Sequence, residues 1–199
     1  MADQSDLHRD SGIWIRRSEL RDAAQLMQLD EIVWDSRTSP SPVKWASREQ
    51  YLRKCPPGGQ LVAGIDEKVC GYLGFAAPTS MACHRHVYEI HLAIHPSYRR
   101  LGIGSKLMAA VKKLATEEGI GKLSLRVLST NPCAVAFYES CGFMVQGRLI
   151  AEYCIEGEFV DDILMWYPIA LEASAQSRRE EALSRAGGGP SPESGSGHG

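Results

Sequence analysis

The stretch from Val87 to Val127 constrains the fold more than any other part of the chain. Val87 to Ile94 reads as a strand and ends in a loop carrying Gly102 and Gly104. Leu107, Met108, Val111, Leu114 and Ala115 then recur at helical spacing, opposite Lys106, Lys112, Lys113 and Glu117. Gly119 closes that helix. Leu123, Leu125 and Val127 alternate with Ser124 and Arg126, a strand with two different faces. Two strands joined by a helix are parallel neighbours, so the chain contains a parallel crossover.

The flanking segments fill in the remaining elements. Ile13 to Arg16 is a short first strand. Asp22-Ala-Ala-Gln25 has the form of a capping box, and Leu26, Leu29 and Val33 follow at helical spacing. The Ser/Thr/Pro-rich run Asp35 to Pro42 ends the helix. Trp45 to Lys54 is a second helix, stopped by Pro56-Pro57-Gly58-Gly59. Leu61 to Ile65 and Val69 to Ala76 form a hairpin around Asp66-Glu67-Lys68. Asn131-Pro132 opens another helix, with Asn as N-cap and Pro at the first helical position. Phe143 to Tyr153 and Phe159 to Tyr167 are the last strands, turning at Glu156-Gly157. The order is β-α-α-β-β-β-α-β-α-β-β, an α/β chain with a mixed sheet of about seven strands and four helices.

Composition narrows the function classes. Of 199 residues, 44% are hydrophobic and 23% charged, a mix that builds one globular domain. A formal net charge of −2 offers no general basis for nucleic-acid binding. No apolar run reaches the ~20 residues of a membrane span, and the polar N-terminus does not read as a signal peptide. The expected location is the cytoplasm, with the six cysteines as reduced thiols. The cluster Cys83-His84-Arg85-His86 fits no standard zinc spacing, so no metal is expected. Residues 1–11 and 172–199 are poor in large apolar side chains and read as a flexible N-terminus and a disordered tail around a domain at 12–171.

The loop Ile94-His-Pro-Ser-Tyr-Arg99-Arg100-Leu101-Gly102-Ile103-Gly104-Ser105-Lys106 is the candidate functional segment. Glycines let backbone N–H groups approach a ligand, and a helix N-terminus carries partial positive charge. The combination is an anion site of the size of a pyrophosphate. It lacks the first glycine of a P-loop and the third glycine of a dinucleotide fingerprint.

Arg99-x-x-Gly102-x-Gly104, after the strand Leu92-Ala93-Ile94, resembles the acyl-CoA pyrophosphate motif of the GNAT N-acetyltransferase superfamily. Asn131-Pro-Cys-Ala-Val-Ala-Phe-Tyr138-Glu-Ser-Cys-Gly142-Phe143 resembles the same family's N-x-x-A-x-x-x-Y-x-x-x-G-F signature. The resemblance spans about Trp14 to Pro168. It implies acetyl-CoA as cosubstrate and a primary amine as acceptor, on a small molecule, peptide or protein, in a monomer or homodimer.

The resemblance also implies roles. Leu92, Ala93 and Ile94 pair through their backbone with pantetheine amides. The N–H groups from Arg100 to Ser105, with Arg99 nearby, cradle the pyrophosphate. Asn131 reaches the pantetheine, and Tyr138 sits near the thioester sulfur as acid for the leaving thiolate. Asn131 is also a good N-cap on its own account, and the alternative for Tyr138 is a core aromatic with its hydroxyl satisfied at the surface. Glu89 is the candidate base, although its parity is opposite to Leu92 and Ile94 unless the strand bulges. It is as readily a solvated strand residue, and His91 or water are the other options. Arg126 stands five residues before Asn131, where some family members carry a glutamate. The acceptor pocket is expected between Val33–Trp45 and Glu152–Asp162. The alternative to catalysis is a binding or sensing module for acyl-CoA.

Overall fold

The computed structural model describes residues 12–169. The expectations for residues 1–11 and 172–199 lie outside the described residues. Eleven helices and strands follow the expected order: β1 (Ile13–Arg17), α1 (Ala23–Val33), α2 (Arg48–Lys54), β2 (Gln60–Ile65), β3 (Lys68–Ala76), β4 (Val87–Ile94), α3 (Ile103–Glu117), β5 (Lys122–Leu128), α4 (Pro132–Ser140), β6 (Met144–Ile155) and β7 (Glu158–Pro168). They build one seven-stranded sheet in the order β1-β2-β3-β4-β5-β7-β6. Every pairing is antiparallel except β4 with β5, the parallel crossover.

Each sheet face is covered by its own helices. Ile90 of β4, Leu123, Leu125 and Val127 of β5 and Met165 of β7 pack with Ile103, Leu107, Met108 and Val111 of α3 and Tyr138 of α4. On the other face Val62, Tyr72 and Ala93 pack with Ala23, Leu26, Leu29 and Val33 of α1 and Tyr51 of α2. Alternation along each strand produces this division, since neighbouring residues point to opposite faces. No helix among the described residues is long and apolar enough to cross a membrane.

Two local expectations are corrected. Asp22 does not cap α1 through its side chain. Its carboxylate accepts the Glu19 N–H at 2.7 Å and the Arg16 guanidinium at 2.7 and 2.8 Å. A short 3₁₀ turn (Leu20–Asp22) therefore precedes the helix. The second helix begins at Arg48 rather than near Trp45, because the Ser47 hydroxyl caps it by accepting the Gln50 N–H.

Candidate active site

The parallel seam is short. β4 and β5 pair only over Val87–Glu89 and Lys122–Ser124, and no pairing continues beyond Glu89. Farther along, Ile90, His91, Leu92 and Ile94 of β4 and Arg126 and Val127 of β5 line a cavity of about 520 Å³. The cavity passes through the opening in the sheet. Tyr138, Phe137 and the start of α3 bound it from one face, and Val33, Trp34 and Thr38 bound it from the other.

The α3 end of the cavity gathers backbone N–H groups of the first helical turn and two arginines. Arg100 and Gly102 both adopt left-handed backbone angles, with φ of 65° and 78°. Alternating left- and right-handed residues turn successive N–H groups toward one point. The first bond within α3 runs from Lys106 N–H to Gly102 O at 3.0 Å, so the preceding N–H groups of the first turn have no helical acceptor. Arg99 and Arg100 are exposed and line the cavity, and their side chains make no hydrogen bond or ion pair within the described residues. Gly104 lets this turn sit close to α4: a Cβ there would lie 3.1 Å from Phe137 Cζ.

Tyr138 serves two purposes at once. Its ring is buried, with only 7% exposed, and packs against Phe137 and Phe143 at centroid distances of 5.4 and 5.8 Å. Its hydroxyl has no hydrogen-bond partner among the described residues and is not a sealed polar atom, so it opens onto the cavity it lines. Burial pushes its pKa up, which keeps the phenol protonated at neutral pH. Asn131 caps α4, its Oδ1 accepting the Ala134 N–H at 3.2 Å, and it lines the cavity as well.

The other expected residues divide by parity. Leu92, Ile94, Ile103 and Ser105 line the cavity. The Ala93 side chain is buried against the α1 face, and Leu101 projects into solvent with 51% exposure, so neither lines it through a side chain. Glu89 is exposed and does not line the cavity. The physical reason is register: β4 pairs with β3 without a break from Glu89↔Ala76 to Ile94↔Gly71, so no bulge redirects Glu89. It shares its face with His91, which does line the cavity.

Opposite α4, the acceptor side has a different chemistry. Asp30, on the buried stripe of α1, accepts the Trp45 Nε1–H at 2.8 Å, the Trp34 Nε1–H at 3.1 Å and the Tyr72 hydroxyl. Burial raises its pKa against the three donors. Trp34 therefore walls the cavity, whereas Trp45 packs edge-on against Tyr51 at 5.0 Å. Arg126 donates to Asp162 at 2.5 Å and to the Tyr153 hydroxyl at 3.1 Å, and stands 3.5 Å from Glu152. Asp161 is held by Arg148 at 2.6 Å and by the Ala151 N–H at 2.7 Å. Much of the acidity of the β6–β7 hairpin is thus neutralised within the hairpin and by β5. The sequence did carry a signal for Asp30: a carboxylate four residues after Leu26, on the apolar stripe of α1.

A seven-stranded mixed sheet in this order, opened at its one parallel seam, is the fold class of the GNAT acetyltransferases. The chain belongs to the Acetyltransferase (GNAT) family, whose model matches residues 26–143. It is 30% identical over 117 residues to the N-terminal acetyltransferase B complex catalytic subunit naa20 of Schizosaccharomyces pombe, covering 58% of this chain and 64% of that protein. It is 28% identical over 151 residues to a putative [ribosomal protein bS18]-alanine N-acetyltransferase of Bacillus subtilis, covering 74% and 95%. A match to Vibrio cholerae spermidine N(1)-acetyltransferase, 34% identical, covers 37% of this chain and 43% of that one. The chain therefore spans less than two thirds of the naa20 and spermidine relatives. Among solved structures, a Streptococcus mutans UA159 protein superposes with a TM-score of 0.73 at 28% identity, over 78% of this chain and 99% of that one. A Salmonella typhimurium putative acetyltransferase, solved with its cofactor acetyl-CoA, shares the fold with a TM-score of 0.67 at 20% identity, over 79% and 94%.

Proposed function

We propose that this protein moves an acetyl group from acetyl-CoA to a primary amine by direct attack in a ternary complex. One observation carries the reading: a single cavity joins an anion cradle, a protonated phenol with a free hydroxyl, and an opening on the far face of the sheet. Acetyl-CoA would enter with its pyrophosphate on the N–H groups from Arg100 to Ser105 and its pantetheine along the unpaired edge of β4. The thioester would then lie beside Tyr138, and the amine would approach from the Trp34 side. Holding both reactants in one cavity supplies much of the acceleration, and no covalent enzyme intermediate is needed. Tyr138 gives its proton to the leaving thiolate, and a backbone N–H of β4 meets the developing oxyanion. Six free thiols among the described residues accord with a reducing compartment, and we place the activity in the cytoplasm.

The named relatives with the longest matches act on polypeptide amines, so peptide N-termini head the acceptor panel, with polyamines and amino acids beside them. One observation favours the second reading, a non-catalytic acyl-CoA-binding module: no carboxylate lines the cavity among the described residues. Thiol release from acetyl-CoA across that panel separates the two. Release with at least one amine supports transfer; binding of acetyl-CoA with no release from any amine leaves the binding module. Calorimetry tests the cradle. Gly104→Asp and Arg99→Glu should each weaken acetyl-CoA binding by tenfold or more. Arg99 has no partner to lose, so a folded Arg99→Glu protein that binds like wild type would move the site elsewhere.

A further inference from the structure

We propose that His91 accepts the proton of the attacking amine and that Gly74 is the residue that positions it. The proposal rests on the acetyl-transfer reading above. His91 stands on the α1 face of β4, directly across from Gly74 of β3. A Cβ on Gly74 would lie 2.1 Å from His91 Cε1 and 2.3 Å from Nε2. The imidazole therefore lies over the bare Cα of Gly74, in space that only glycine leaves open. Tyr72 meets the ring edge-on at 5.6 Å, and Trp34 flanks it at 6.3 Å. Both aromatic side chains are tied to Asp30, so the ring is held on three sides.

Both ring nitrogens lack a hydrogen-bond partner among the described residues, and the residue lines the cavity. The residue is exposed to the cavity while Tyr72, Trp34 and Gly74 crowd its ring, and the resulting desolvation lowers its pKa below the ordinary histidine value. It is therefore neutral, with a lone pair available, at physiological pH. The other groups on this face do not compete for the role. Arg126 is cationic and bound to Asp162, and Glu89 lies outside the cavity lining. Tyr138 reaches the cavity from the α4 face, so acid and base approach the thioester from opposite sides of the sheet.

The step balances without an outside reagent. The amine nitrogen bonds to the carbonyl carbon, and the C–S bond breaks. The nitrogen becomes far more acidic once bonded to that carbon, so a weak base suffices. Its proton passes to His91, directly or through one water, and then to solvent. The thiolate takes the Tyr138 proton, which solvent replaces. The products are the acetylated amine and CoA thiol.

The experiment compares kcat, acetyl-CoA affinity and melting temperature for His91→Ala, Gly74→Ala and the double variant, with an amine the wild type accepts. His91→Ala should lower kcat by about 100-fold or more, within the range of general bases, while acetyl-CoA affinity changes less than twofold. Gly74→Ala should lower kcat by tenfold or more in the wild type and by less than twofold in His91→Ala, because it acts only by displacing the ring. Added imidazole should restore part of the kcat of His91→Ala, and this holds as the test if Gly74→Ala does not fold. Unchanged kcat in His91→Ala, or equal losses from Gly74→Ala in both backgrounds, would overturn the proposal while leaving acetyl transfer intact. A wild type that releases no thiol with any amine overturns the transfer reading and this proposal together.

Discussion

Tyr138 shows how a single residue can belong to the core and the cavity together. The Tyr138 ring is part of the core beneath α4, so removing only its hydroxyl separates chemistry from packing. Tyr138→Phe should lower kcat by about tenfold or more at saturating acetyl-CoA, with a melting temperature within a few degrees of wild type. Equal kcat would leave water as the proton source. His91 makes a prediction about pH. Its folded pKa of about 4 lies below the ~6.5 of an unfolded histidine, so the unfolded chain binds the extra proton between those values. Stability should fall as pH drops from about 6.5 toward 4 and lose nothing further from this group below that. The ionisable side chains on its flanks are Tyr72 of β3, Asp30 of α1, Glu89 of β4 and Arg126 of β5, and none is a close carboxylate partner that would reverse the sign. Between pH 7 and 4.5 the denaturant midpoint of wild type should fall relative to that of His91→Gln if His91 is the cause.

At the scale of elements, what the sequence disclosed followed local pattern, and what it withheld depended on register. The glycine loop, the Asn131 cap and all seven strands were legible because each rests on neighbours in the chain. Gly102 needed a left-handed angle, and Asn131 needed only the N–H three residues on. Alternation alone put Glu89 and His91 on the face opposite Leu92 and Ile94, but that no bulge redirects Glu89 required the register of β4 against β3, which no local spacing reports. The Arg126–Asp162 pair was equally hidden, since its partners lie 36 residues apart on β5 and β7. The Asp162 side chain is 2% exposed, whereas Arg126 is 43% exposed, so the two removals are not equivalent. Arg126→Leu strands a buried carboxylate with only the Tyr153 hydroxyl and should destabilise the fold by about 3 kcal/mol. Asp162→Leu leaves a guanidinium that water and Glu152 still solvate, and should cost less. Denaturant unfolding of the two variants tests the order.

Across the whole molecule, the weak line is the seam between β4 and β5. Antiparallel ladders run without a gap from β1 to β4 and join β5 to β7, but the two halves of the sheet share only three paired residues on each side of the seam. Beyond them, the edges of β4 and β5 face a cavity. A ligand seated there would supply to Ile90–Ile94 the backbone partners that β5 does not, and would tie α3 to α4 across the opening. Ligand that binds only the folded state adds about 2.7 kcal/mol at one hundred times its dissociation constant. For a domain of this size the melting temperature should then rise by roughly 5–10 °C. The gain should be uneven. Hydrogen exchange should slow most for the N–H groups of residues 90–94 and 100–105, while the outer β6–β7 hairpin, which does not touch the cavity, should hardly change. At the same ligand concentration, Arg99→Glu should cut the shift to about half or less and reduce the local protection with it. Uniform protection across all seven strands would show that acetyl-CoA binds somewhere other than the seam.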